Sequence, residues 1–476
     1  MRKINYYLIL LICFIGCQAV KSQVSIKLAD EDWLPKREDV QAGAIMVPEN
    51  HDVPNGKQIQ ISYIVLKTKD IGSNKFPMIF FSGGPGGNSL SQGMVNFLLE
   101  NPFLNERDII LFDQRGIGYS SAMPDMSFAS FDIMARDANE EEELIFAKDM
   151  ILEYKKKCKE QDIKPEYYNT LQNAKDVGML FKHLGYKKYN LMGGSYGTRL
   201  ARVVQDMFPE YIHSSVLDSP APLSGDFLIN RLESFSLAFD RILEYCENDT
   251  QCKNLYPNLK EDYFNAISRL KQKPLQVTMN DSLNVIINAQ DGVYLIRRLL
   301  YQSNAREKAP ELIKAFIKGD GKVIDEVLQF EYMLTGSLNL TMLLSVEKYE
   351  NFDSANTPEV IEENYRKYPL IPVKMGFFDA FYQAGMNWHD ASLDMEDRKF
   401  QDSDVPTLIF VNRYDPVTPP KNGVGFMKNL SNGTLFILDE GGHGGSNEKC
   451  KDQVITDFMN DPTQKLNTTC LHLFNN

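Results

Sequence analysis

Apolar and polar positions follow two rhythms along this chain, one of short buried runs alternating with helical periods and one that is helical almost throughout. Ile59 to Lys67 is rich in β-branched residues and predicts a strand. Met78 to Phe81 and Asp108 to Phe112 are brief apolar runs that predict buried strands; the first ends in Ser82-Gly83-Gly84-Pro85-Gly86-Gly87, the second in Asp113-Gln114-Arg115-Gly116. Leu171 to Leu184 then repeats at helical spacing (Leu171, Ala174, Val177, Leu180, Phe181, Leu184) and stops at Gly185, a residue suited to a helix C-cap. Tyr189 to Met192 predicts another strand, followed at once by Gly193-Gly194-Ser195-Tyr196-Gly197 and a helix to about Phe208; Ile212 to Asp218 is the next strand. Strands alternating with helices imply an α/β fold with a mostly parallel, doubly wound sheet.

The rhythm changes near Pro220-Ala221-Pro222. From there to about Asp404 the periods are mainly helical, at Phe227 to Tyr245, Lys260 to Leu270, Gln290 to Leu300, Glu311 to Ile317 and Thr357 to Tyr368. Val405 to Val411 and Thr434 to Leu438 restore buried strands. The expected organisation is therefore a core in two parts, 23–222 and 405–476, with a helical cap insertion over 223–404. No internal repeat or low-complexity tract interrupts this plan.

Residues 1–22 stand apart as a leader. Met1-Arg2-Lys3 is a positive start, and the apolar stretch from Tyr6 to Gly16 is short for a membrane span, which favours an export signal. Two endings stay open: cleavage after Val20-Lys21-Ser22, before Gln23, or a loose lipobox, Phe14-Ile15-Gly16-Cys17, that would leave Cys17 lipid-anchored. Cysteine usage agrees with export. Cys246 and Cys252 bracket a short polar loop, and Cys450 and Cys470 bracket a C-terminal helix and tail, so each pair reads as a local disulfide, with Cys158 left free. There is no CxxC pair or histidine cluster for a metal.

Composition narrows the partners. A 43% hydrophobic chain of 476 residues can bury a large core, which excludes wholesale disorder. Its net charge of −13, without a long basic run, argues against nucleic acid. The Gly83-Gly84-Pro85-Gly86 loop lacks the Gly-Lys-Ser/Thr ending of a phosphate-binding loop, and no cofactor is expected.

The candidate chemistry sits at strand ends. Gly193-x-Ser195-x-Gly197 lies between a strand and a helix, where a sharp turn presents the serine hydroxyl above the sheet. The next backbone N–H, from Tyr196, opens the helix and can donate to an oxyanion; a second donor is expected from Gly84 in the early glycine-rich loop. Of six histidines, only His443 follows a core strand within a flexible setting, Glu440-Gly441-Gly442-His443-Gly444-Gly445. Asp415, in Arg413-Tyr414-Asp415-Pro416, ends a strand and is stiffened by proline, so it is the preferred orienting acid, with Asp439 as runner-up. The order Ser195, Asp415, His443 is that of α/β-hydrolases, unlike chymotrypsin-like or subtilisin-like enzymes.

Taken together, Ser-Gly-Gly-Pro-Gly-Gly, Asp113-Gln114-Arg115-Gly116-Ile117-Gly118-Tyr119-Ser120, Gly-Gly-Ser-Tyr-Gly and Asp415-Pro-Val-Thr-Pro resemble the proline iminopeptidase and tripeptidyl aminopeptidase family of α/β-hydrolases. The resemblance spans nearly the whole mature chain and, through the Cys450 to Cys470 tail, leans to the tripeptidyl aminopeptidase type. It implies a serine exopeptidase acting on peptides with a free N-terminus, a cap over the site, an oxyanion hole from Gly84 and Tyr196, and a structural role for the Asp113–Arg115 turn. Ser82 stands where proline iminopeptidases usually carry histidine, which loosens any inference of proline specificity. Buried cap carboxylates would bind the substrate ammonium; the insertion is rich in acids, Asp226, Glu233, Asp240 and Glu244 among them, but most belong to a solvated helix face and spacing singles out none as the binder. An esterase or amidase for small molecules, and a binding protein that kept the fold, are the alternatives.

Overall fold

Ten strands carry the description: β1 (Val40–Pro48), β2 (Gln58–Leu66), β3 (Met78–Phe81), β4 (Ile109–Phe112), β5 (Tyr189–Gly194), β6 (Ile212–Asp218), β7 (Leu275–Met279), β8 (Leu283–Ile287), β9 (Thr407–Asn412) and β10 (Gly433–Leu438). In this computed structural model the described residues are 27–70, 72–223, 225–394, 397–445 and 450–474; the expected leader 1–22, with Cys17 and the expected cleavage before Gln23, lies outside them. Eight of the strands form one sheet in the order β1-β2-β4-β3-β5-β6-β9-β10. The first two pairings, β1 with β2 and β2 with β4, are antiparallel, and every later one is parallel. Parallel strands covered on both faces need continuous apolar runs, and β4 (Ile109 to Phe112) and β9 (Thr407 to Asn412) are buried at every position. This is the mostly parallel, doubly wound α/β sheet that the alternation of periods predicts, and it agrees with the α/β-hydrolase fold that the family resemblance implies.

β1 lies outside the strands that the apolar pattern predicts, because its Gln, Ala and Gly content has weak strand preference. Pairing decides it instead. Gly43 lies opposite Tyr63 of β2, and a Cβ at Gly43 would overlap the tyrosine ring, so the aromatic packs over a bare backbone.

At the other edge β10 is covered by the chain's own tail. Phe474 N–H donates to the Ile437 carbonyl at 2.8 Å and Asp439 N–H to the His472 carbonyl at 2.9 Å. The Cys450–Cys470 disulfide ties this tail to the start of the helix Lys451–Asn460, whose Val454, Ile455 and Phe458 are buried with Leu438 and Phe410. An edge strand paired in this way offers no template to another chain.

Between β6 and β9 the chain leaves the sheet. The helix Phe227–Asn248 is N-capped by Asp226, which accepts the Ile229 N–H at 2.7 Å. The Cys246–Cys252 disulfide joins its end to the helix Thr250–Leu255, and Cys158 is free and buried. Phe235, Phe239 and Ile242 pack with Tyr263 and Ile267 of the helix Leu259–Gln272. The insertion is not helical throughout: β7 and β8 form an antiparallel hairpin. Its signal is an alternating run around Asn280-Asp281, both in the left-handed region at φ 48° and 55°, a hairpin-turn composition that a helical reading passes over. The helix Ala305–Lys318 also begins upstream of the expected Glu311, carrying Pro310 within it.

The roof also recruits the first core segment. The helix Glu140–Glu160, begun by a capping box of Asn139 and Glu142, packs on Phe377–Gly385 of the insertion, and Lys155 donates to the Asn387 carbonyl at 2.7 Å.

Candidate active site

Ser195 sits at the carboxyl end of β5 with φ 53° and ψ −125°, a conformation that costs a non-glycine residue about 1–3 kcal/mol. The surroundings hold it there. Its N–H donates to the Asp218 carbonyl at 2.9 Å, and its own carbonyl accepts the Thr198 N–H at 2.9 Å and the Thr198 hydroxyl at 2.6 Å. Close packing explains the flanking glycines. A Cβ on Gly193 would lie 2.6 Å from the Gly197 carbonyl oxygen, and one on Gly197 would overlap the Phe81 carbonyl at the end of β3.

His443 Nε2 lies 2.8 Å from Ser195 Oγ, and His443 Nδ1 lies 2.9 Å from Asp415 Oδ2. A ring nitrogen facing a carboxylate is the donor, which leaves Nε2 to accept the serine proton. Asp415 is fully buried at the end of β9, and Pro416 directs the chain so that Val417 and Thr418 return three donors to it. These are the Val417 N–H at 2.7 Å, the Thr418 N–H at 2.8 Å and the Thr418 hydroxyl at 2.7 Å. Burial alone would raise the carboxyl, but His443 and the Thr418 donors outweigh it and hold Asp415 below the usual carboxylate range. For His443, burial disfavours the charged ring, and Asp415 more than offsets that, so its pKa lies above the ordinary 6.5.

The runner-up acid is engaged elsewhere, with Asp439 paired to Arg413 Nη1 at 2.7 Å. The other histidines are also accounted for: His51 meets Asp176 at 2.7 Å, His183 meets Tyr63 at 2.9 Å, and His389 is buried against the Ser345 and Ala391 carbonyls. His213 packs on Phe76 within β6, and the His472 carbonyl lies in the tail pairing.

Gly84 and Tyr196 line the same cavity as Ser195, of about 440 Å³. Gly84 has φ +112°, and a Cβ there would come within 2.8 Å of the Gly86 nitrogen, so the loop can close only around glycine. Ser82 braces it: its hydroxyl donates to the Gly87 carbonyl at 2.5 Å, and Gln114 Nε2 donates to the Ser82 carbonyl at 3.0 Å. Asn339 N–H donates to the Gly86 carbonyl at 2.8 Å, which brings the insertion onto this loop. The Asp113–Arg115 turn stands behind it. Asp113 accepts the N–H groups of Ser89, Leu90 and Tyr119, while Arg115 grips Asp176 bidentately at 2.8 and 2.7 Å and donates to the Pro48, Glu49 and Tyr167 carbonyls.

Several residues of the site carried no local signal. The cap reaches the base at the end of the helix Ala289–Leu299: His443 N–H donates to the Leu300 carbonyl at 3.3 Å, and a Cβ on Gly442 would overlap that same carbonyl. Tyr301 packs edge-on to the His443 ring with centroids 5.0 Å apart. Of the insertion acids named from the sequence, Asp226 lines the cavity, Glu233 pairs with Lys421 at 2.5 Å, and Asp240 and Glu244 are exposed. Glu347, from the helix Leu340–Glu350, is the second acid in the cavity wall, 4% exposed, with Asn351 Nδ2 at 2.7 Å and Arg199 Nη2 at 3.7 Å. A single acid on an apolar helical stripe could not be singled out from spacing alone.

Comparison with known proteins places two family descriptions on the chain, an alpha/beta hydrolase fold over residues 77–275 and a TAP-like protein over 378–470. A tripeptidyl aminopeptidase of Streptomyces coelicolor is 30% identical over 221 residues, which is 44% of this chain and 40% of that protein, so the match spans about two fifths of the relative. A putative hydrolase of Escherichia coli, YuaR, is 24% identical across 92% of this chain and 90% of its own length. The serine protease Hip1 of Mycobacterium tuberculosis is 21% identical across 88% of this chain and 84% of its own length.

Proposed function

Because the chain belongs to the α/β-hydrolase fold family and carries a TAP-like C-terminal segment, we propose that it is an exported serine peptidase releasing residues or short peptides from free N-termini. The observation that carries this reading is the unbroken hydrogen-bonded series Asp415–His443–Ser195 opening onto a cavity whose wall includes Asp226 and Glu347.

His443 removes the Ser195 proton as the hydroxyl attacks the scissile carbonyl, and the imidazolium formed is stabilised by Asp415. The Gly84 and Tyr196 N–H groups take the charge that develops on the carbonyl oxygen, the second aided by the helix N-terminus. His443 then returns the proton to the leaving amine, and water repeats the cycle on the acyl-enzyme. Glu347 is our candidate for the substrate ammonium: Arg199 makes its close contact with Glu350 at 2.9 Å and stands 3.7 Å from Glu347, so the Glu347 carboxylate in the cavity wall is within reach of a second cation. Asp226 is more committed, as a helix cap that also accepts from Asn356. Two disulfides support an oxidising location, and among the described residues no helix is long and apolar enough to cross a membrane. Attachment through Cys17 remains part of the proposal.

The test is a fluorogenic panel of Pro-, Ala- and Phe-amides, free tripeptidyl amides, their N-acetylated forms and a short-chain ester, with Ser195→Ala beside the wild type. Cleavage of free but not acetylated peptides, lost in the variant, is the expected result. Equal rates on blocked substrates, or ester turnover alone, overturn the exopeptidase reading in favour of a general esterase or amidase.

A further inference from the structure

The chain is acidic, with a net charge of −13, yet the wall of the cavity at Ser195 is cationic: Arg199, Arg231, Arg398, Lys399 and Lys421 face only Asp226 and Glu347. Arg199 and Lys421 are spoken for by Glu350 and Glu233. Arg231 is not. Its guanidinium lies over the Phe227 ring, 3.3 Å from the centroid, and its Nη1 donates to the Phe227 carbonyl at 2.8 Å.

A second guanidinium stands beside it. Arg297 is 1% exposed, and none of its three nitrogens has a hydrogen-bond partner among the described residues. Arg231 and Arg297 share one aromatic neighbour, lying 5.2 and 5.3 Å from the Phe378 ring centroid, and Arg297 is 5.7 Å from the Tyr301 ring that packs against His443. The adjacent Arg298 shows the ordinary way to bury such a charge, being paired with Glu331 and bonded to the Tyr294 hydroxyl at 2.5 Å. Its contacts with the Phe378 and Tyr301 rings are cation–π in kind, as are those of Arg298 with Tyr294 and Tyr301, but those of Arg297 come with none of its N–H donors engaged in a hydrogen bond.

The cluster repels itself. Burial pushes Arg231 down to about 10; Glu347 pulls the other way, and Arg297 and Arg199 add to the lowering. Burial opposes ionisation of Tyr301, but Arg297 and Arg298 draw its phenol down to about 8, so it is still mostly neutral at pH 7 and does not supply the missing anion. A planar, two-oxygen anion is the group that two guanidinium forks match.

We propose that Arg231 and Arg297 form a carboxylate-binding subsite beside His443, so that the preferred substrates are peptides carrying a carboxylate next to the scissile bond. The carboxylate comes either from an acidic side chain at the residue being released or from the free C-terminus of a very short peptide. This rests on the serine exopeptidase reading and assigns its substrate class.

Matched pairs test it. One arm compares Glu with Gln before the scissile bond in free tripeptidyl fluorogenic amides. The other compares a tripeptide acid with its C-terminal amide, and a neutral short-chain ester reports the triad. We expect kcat/KM to favour the acid by about tenfold or more in one arm, which names the source of the carboxylate. Arg297→Gln or Arg231→Gln should reduce that acid-to-neutral ratio about tenfold, with Arg297→Lys restoring part of it. Ratios within about twofold in both arms, with the ester still hydrolysed, overturn the subsite and leave the exopeptidase reading standing. If no peptide is cleaved, the exopeptidase reading fails separately. Binding then decides the subsite: the melting temperature of Ser195→Ala protein should rise more with a Glu-containing tripeptide than with its Gln counterpart, or more with a tripeptide acid than with its C-terminal amide, and equal shifts within both pairs overturn it.

Discussion

The floor and the roof of the cavity treat charge in opposite ways. On the sheet side, Asp415 receives His443 and three donors from the next loop, and Arg115, Asp176 and His51 close on one another and on backbone carbonyls. In the roof, Arg297 is buried with no such partner among the described residues, and Arg231 bonds a backbone carbonyl and lies over the Phe227 and Phe378 rings, with Glu347 acting on it at longer range. A satisfied network is already arranged for the transition state, whereas an unsatisfied cation gains most from what binds to it. The difference separates reaction from selection: the floor sets what chemistry occurs, and the roof sets which molecule undergoes it.

Ser195→Ala gives the most severe test of the floor. Turnover should fall about 10⁶-fold, with the melting temperature close to wild type, measured by hydrolysis and calorimetry on the same samples. Asp415→Asn should cost about 10⁴-fold. It should also move the acid limb of the rate profile. The base must be neutral, so kcat/KM is lost as pH falls through the His443 pKa, which lies above 6.5 because Asp415 favours the charged ring. Removing that carboxylate lowers the midpoint, and a pH profile unchanged in the variant would contradict the assignment of Asp415.

Asp176→Ala strands Arg115 behind the active site and should destabilise the protein by about 3–5 kcal/mol, read from a denaturant melt. The two disulfides give the mildest contrast. Replacing Cys450 and Cys470, separated by 20 residues, with serine should cost about 3 kcal/mol, and replacing Cys246 and Cys252, separated by 6, about 2 kcal/mol with peptide turnover retained. Equal losses of activity from both pairs would erase the proposed division between floor and roof.

Legibility in the sequence follows the same division. Ser195, Asp415 and His443 each stand just beyond a strand marked by an apolar run, and glycine or proline punctuates each turn. Local composition and spatial place coincide there. β1 gave no such sign, since the Tyr63 ring over Gly43 is what makes it a strand. Glu347, Arg231 and Arg297 come from three different helices of the insertion, with Tyr301 just past the end of the last, and on one helix a charged residue facing inward looks the same as one facing water until the neighbours are known. The β7–β8 hairpin is hidden for a simpler reason, because its strand-period alternation is short and lies among helical periods.

The contact between the Leu300 carbonyl and the His443 loop has a consequence for engineering and descent. Caps on this fold invite exchange as interchangeable lids, yet here the lid holds the backbone of the catalytic base and leaves Gly442 no room for a side chain. A transplanted cap that lacked a carbonyl at that point would arrive with new selectivity and an unanchored histidine. Insertion and base loop are therefore expected to be inherited, and redesigned, as one part.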